Sequence, residues 1–167
     1  MCLSQMTACV PDFIERQAPD QGEFTQLCSL EASGEPFARV YGVVLPLFNV
    51  AIHTWMVVNP GGGEPSERWE VWPIPDGPYG HVRRNLFSLE QGLVDNGSFV
   101  LGEVVGEEAR PIVEFVRSEA PEYPCVANYV LAPGPNSASF LQWIIDETGL
   151  GVELPPAVIG KDTPCVP

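Results

Sequence analysis

The chain has 167 residues and a formal net charge of −14. Only eight residues are Lys or Arg, which argues against nucleic acid or an anionic membrane as a partner, because both need basic side chains to meet phosphate. A hydrophobic content of 45 % is enough for one core, and 18 prolines with 16 glycines predict short elements joined by frequent turns.

In chain order, residues 1–35 are polar and broken by Pro11, Pro19, Gly22 and Gly34. They read as an N-terminal arm with one short helix around 11–17. Residues 36–167 form a single domain. "FARVYGVVLPLF" (37–48) is rich in β-formers. "VAIHTWMVV" (50–58) is the clearest strand, and it is apolar on both faces, which predicts a central strand covered on both sides. "NPGGGEPSE" (59–67) is turn chemistry, and the alternating "RWEVW" (68–72) returns as the second arm of a hairpin.

"HVRRNLFSL" (81–89) and "SFVLGEVVG" (98–106) are candidate strands. "EEARPIVEFVRSEA" (107–120) sets Ile112, Phe115, Val116 and Glu119 at helical spacing, with Pro111 in the first turn, where its missing N–H costs little. "CVANYVLA" (125–132) reads as a last strand. Next come "APGPNSASFLQWIIDE" (132–147), which predicts a buried helix over 136–148, and a Pro-rich tail that must wrap the body. The pattern is an α+β layout with no internal repeat.

Five cysteines stand at 2, 9, 28, 125 and 165. None has the C-x-x-C spacing of a zinc site; Cys9–Cys28 and Cys125–Cys165 are candidate bridges, with the connectivity left open. The segment "MCLSQMTACVPDFIER" has neither a basic start nor a long apolar core, so it does not read as a signal peptide, and no apolar run reaches the length of a membrane span. The acidity leans towards a salty or extracytoplasmic setting.

Three residues suggest chemistry. His53 is the polar intruder in the most apolar strand, and a buried imidazole there needs a partner or costs on the order of 1–3 kcal/mol. Glu70, on the returning strand between Trp69 and Trp72, is the natural partner and would fix the ring's tautomer. Ser137 opens the last helix. It is a good cap there, and it is also a hydroxyl beside free N–H groups that can hold an oxyanion. Asn136, Trp55 and Trp72 are candidate substrate contacts. Arg83 and Arg84, beside His81, are candidates to hold an anion.

The order His53, Glu70, then Asn136-Ser137-Ala138-Ser139-Phe140 resembles the circularly permuted branch of the NlpC-type, papain-like superfamily, which includes lecithin retinol acyltransferase-like proteins. The likeness spans about residues 50–148. His53-Thr54-Trp55, Pro133-Gly134-Pro135-Asn136-Ser137 and the tail "PPAVIGKD" (155–162) more closely resemble an uncharacterised domain family. The superfamily resemblance implies a permuted papain-like domain whose antiparallel sheet packs on the helix beginning near Ser137. It implies a hydrolase or acyltransferase acting on a small amide, ester or peptide, with no cofactor. Ser137 would be the nucleophile, His53 the base and Glu70 its orienter. The superfamily uses Cys where this chain has Ser137, and a hydroxyl is not ionised near neutrality as a thiol partly is. The alternative is therefore a catalytically inactive binding or interaction module on the same scaffold.

Overall fold

The computed structural model describes residues 34–45, 51–73, 81–93, 96–125 and 129–164. The expected N-terminal helix and four of the five cysteines lie outside these residues. Five strands form one antiparallel sheet: β1 (Phe37–Val44), β2 (Ile52–Asn59), β3 (Glu67–Trp72), β4 (His81–Arg84) and β5 (Phe99–Val105). Their spatial order is β4-β3-β2-β1-β5, so the apolar strand β2 is central, as its composition predicts. Among the described residues, two α-helices complete the α+β fold: α1 (Arg110–Glu119) and α2 (Ser137–Thr148).

The two faces of the sheet have different covers. Met56 and Val58 of β2, with Trp69 and Val71 of β3, join Ala38 and Val40 of β1 beneath the helices. There they meet Ile112, Val113 and Val116 of α1 and Phe140, Leu141, Ile144 and Ile145 of α2. The alternate positions point the other way: Tyr41 and Val43, Trp55 and Val57, and Trp72. Among the described residues no helix covers them; Phe87, Leu89 and Leu93, from the chain that leaves β4, do so instead. Successive strand residues face opposite sides, so one residue of parity decides which layer a side chain enters.

The turns carry these strands at the expected places. In "NPGGG", Asn59 Oδ1 accepts from Gly61 N at 2.7 Å, and Asn59 Nδ2 donates to Ser66 Oγ and Glu64 O, each at 2.9 Å. Gly61, at φ 82°, tolerates no Cβ: one would sit 2.9 Å from Pro36 N. β4 is shorter than the expected 81–89 strand. Asn85, at φ 58°, turns the chain, its N–H donating to Arg68 O at 2.8 Å and its Oδ1 accepting from Arg68 N at 2.7 Å. The residues beyond then serve as the cover of the second face.

Residues 126–128 of the expected strand at 125–132 lie outside the described residues, and residues 129–132 are not in a strand. Val130 N donates to Pro135 O at 2.8 Å in a local closure, and Val130 and Leu131 are exposed. The tail does wrap the body. Leu150, Leu154 and Val158 are buried, and Ile52 N donates to Ala157 O at 3.2 Å.

Candidate functional site

His53 is the second residue of β2, and its parity carries it to the second face with Trp55 and away from the helices. Its ring lies edge-on to Trp72, 4.5 Å between centroids, and 5.9 Å from Trp55. Both tryptophans belong to the layer under Phe87, Leu89 and Leu93. Glu70, on β3, reaches the same face: His53 Nε2 and Glu70 Oε2 are 2.9 Å apart. Glu70 is fully buried rather than solvent-facing.

A third charge completes the cluster. Arg68 precedes Glu70 by two residues and so shares its face. Its Nη2 donates to Glu70 Oε2 at 3.0 Å. Its Nε lies 2.8 Å from Glu70 Oε1, close as a charge but not aligned as a hydrogen bond. Arg68 Nη1 donates to the carbonyls of Ser88 and Gln91 at 2.8 and 2.7 Å, and the guanidinium lies 3.9 Å from the Trp55 ring centroid. Trp55 Nε1 donates to Leu89 O at 2.8 Å. The cluster thus ties the 85–93 segment to the sheet.

Protonation follows from these contacts. Burial alone would raise the Glu70 carboxyl, but the Arg68 guanidinium and then the His53 hydrogen bond outweigh it and hold it below the usual range. Burial also pushes the His53 imidazole below its ordinary value, against the pull of Glu70. Glu70 is therefore a carboxylate and His53 a neutral ring. The network assigns the ring proton to Nε2, leaving Nδ1 as an acceptor.

Ser137 lies elsewhere. It is the first residue of α2, whose buried face packs on the helix-side layer with Met56 and Trp69. The sheet stands between that layer and the His53 ring, and among the described residues no hydrogen bond joins the two side chains. The cap of α2 is built from other residues. Asn136 Oδ1 accepts from Ala138 N at 2.8 Å, and Asn136 N donates to Ser139 Oγ at 3.2 Å. Asn136 Nδ2 donates to Leu131 O at 2.9 Å and Ile159 O at 3.0 Å, so its amide is spent on the fold and is not offered to a substrate.

The six predicted residues therefore divide. His53, Glu70, Trp55 and Trp72 come together on one face; Asn136 and Ser137 belong to the other. Trp55 does not line a groove: it is fully buried, with Tyr41 stacked on it at 5.5 Å. Arg68 was missed in the sequence, although an arginine two residues before a strand glutamate shares its face and could have been found by that spacing. Two open clefts, of about 390 and 510 Å³, run between α2 and the 150–164 segment, past Gln142, Lys161 and Asp162; neither is lined by His53, Glu70 or Ser137. Among the described residues, no group of three His, Cys, Asp or Glu side chains is placed to hold a metal ion, and no helix is long and apolar enough to cross a membrane.

A family described as "Protein of unknown function (DUF3750)" matches residues 38–163, and the chain belongs to that family. No curated protein and no solved structure matches the chain.

Proposed function

We propose that this member of the DUF3750 family is a non-catalytic binding module and not a serine hydrolase acting through Ser137. One observation carries the reading: the parity of β2 turns His53 to the face of Trp55 and Trp72, while α2, which Ser137 opens, packs on the opposite face with Met56 and Trp69. A general base must come within hydrogen-bond reach of the proton it takes, about 2.6–3.2 Å, and no side-chain rotation moves His53 through its own sheet. The likeness to permuted papain-like domains then rests on element order alone: a strand with His, a strand with Glu, and a helix opened by Ser.

The use of the neighbouring polar groups supports the same reading. Glu70 neutralises Arg68 as well as holding His53, and Asn136 and Ser139 cap α2 and bind the tail. These groups build the scaffold, and among the described residues none of them hydrogen-bonds the Ser137 hydroxyl. The test is reaction with a fluorophosphonate probe, read by intact mass beside an active serine hydrolase. The folded protein is expected to remain unlabelled. Stoichiometric labelling that is lost in both Ser137→Ala and His53→Ala would overturn the reading in favour of a Ser-His-Glu hydrolase or acyltransferase.

A further inference from the structure

Arg83 is the middle of an inconsistency. The chain carries 22 acidic residues against eight basic ones, so basic side chains should find carboxylates easily. Those of the described residues do, with one exception. Arg39 pairs with Glu103, Arg68 with Glu70, Arg84 with Glu67, Arg110 with Glu107, Arg117 with Glu64, and Lys161 with Asp162. Arg83 has no such partner among the described residues, and its Nε is buried without any hydrogen bond. Its neighbour Arg84 faces the helix side, 5.7 Å over the Trp69 ring, so the two arginines of "HVRRN" are used differently.

A second donor is orphaned on the same face. Arg83 is the direct cross-strand partner of Glu70, and Trp72 follows Glu70 by two residues on β3. Pairing and parity put Arg83, Glu70 and Trp72 on one side of the sheet, with Arg83 and Trp72 as diagonal neighbours within reach of each other's long side chains. Trp72 is 5 % exposed, yet its Nε1 is buried with no acceptor. Unpartnered buried donors are rare in native proteins, and each costs about 1–3 kcal/mol. The described charges beside them do not solve the problem: Glu70 is spent on Arg68 and His53, so among the described residues Arg83 has no neutralising carboxylate. β4 is an edge strand and Arg83 is only half-buried, so part of its side chain faces solvent at the sheet's edge, with the buried Trp72 on the same face.

We infer that Arg83 and Trp72 form a binding site for a small carboxylate at the β4 edge of the second face. A carboxylate supplies the missing negative charge and two acceptor oxygens, one for the Arg83 guanidinium and one for the Trp72 indole N–H. A carboxylate site deepens the binding-module reading and rests on it, but it is tested separately, since fluorophosphonate labelling reports only on Ser137.

The indole N–H gives a direct readout. Acetate is titrated into the ¹⁵N-labelled full chain at constant ionic strength against chloride, with the Trp72 resonance assigned by Trp72→Phe. A saturable downfield shift of the Trp72 indole proton is expected. Arg83→Gln should keep the native spectrum elsewhere and weaken binding about tenfold or more, as for loss of one charge-assisted bond. No shift at Trp72 in the folded protein, or the same affinity in Arg83→Gln, would overturn the inference. Saturation by inorganic phosphate but not by acetate would overturn the assignment to carboxylates. None of these outcomes alters the prediction for Ser137.

Discussion

At the scale of single residues, α2 shows how one sequence signal serves two readings. Asn and Ser are both good caps, so "PGPNSAS" announces a helix start without saying which side chain does the capping. The structure divides the work between Asn136 and Ser139, and Asn136 also holds the carbonyls of Leu131 and Ile159. Ser137 makes no comparable contribution. Asn136→Ala should therefore cost about 1–2 kcal/mol of stability, the upper part of the range for a lost cap. Ser137→Ala should stay within about 0.5 kcal/mol, as for a substitution away from such features. Urea unfolding of the two variants checks the order. Equal losses would mean that Ser137 carries part of the cap.

Glu70 shows what is at stake when the polar group is a buried charge. Glu70→Gln removes the counter-charge of Arg68, which is fully buried, and should destabilise the fold by about 3–5 kcal/mol. A loss below about 1 kcal/mol in the same unfolding assay would show that the ion pair is not formed as described.

At the scale of elements, the strands and helices were legible because their signals are local. Residues 50–58 are apolar but for His53 and Thr54, the three glycines of 61–63 demand a turn, and Pro111 fits only a first turn. What the sequence could not say follows from the same apolar run. A strand covered on both faces has no polar side to set its orientation, so nothing in "VAIHTWMVV" tells which parity meets α2. One residue of register decides whether His53 faces Ser137 or turns its back on it. The His53–Glu70 pairing was within reach of the sequence because both sit on adjacent strands of one hairpin. The end of the expected strand at 125–132 differs for another reason: the prolines that follow at 133 and 135 and the local Val130–Pro135 closure hold residues 129–132 out of a strand.

The second face also has a pH signature. Burial holds the folded His53 pKa below its ordinary value of about 6.5, so on acidification the unfolded chain takes up this proton first. Its contribution is constant above that value, and stability falls as the pH drops below about 6.5 towards the lowered folded pKa. Glu70 adds a second loss at lower pH. Its stabilisation is present above its ordinary value of about 4.3 and disappears as the pH falls through the lowered folded value. Unfolding free energies measured between about pH 7.5 and 5 should fall more steeply in the native protein than in His53→Gln. Parallel curves would remove His53 from the account.

At the scale of the whole molecule, one antiparallel sheet with unlike covers sets the His53–Glu70 pair and the helix that Ser137 opens on different faces. The helices and tail cover one side, the 85–93 segment covers the other, and the polar cluster locks that second cover in place. Cys125 adds a covalent constraint, because it is disulfide-bonded. With five cysteines, one bonded pair leaves at most three thiols, and the odd total leaves at least one. Alkylation of the protein in denaturant without reductant should therefore modify between one and three cysteines. Five modified cysteines would contradict the bridge.

The central claim is that the sheet separates His53 from Ser137. The most direct measurement is the ¹⁵N NMR spectrum of the His53 imidazole in the native protein and in Ser137→Ala. The account predicts the same neutral ring, protonated at Nε2, with unchanged Nδ1 and Nε2 shifts and the same depressed pKa in both. A change in the Nδ1 shift or the pKa when only the Ser137 hydroxyl is removed would show that the two side chains touch, and would contradict it.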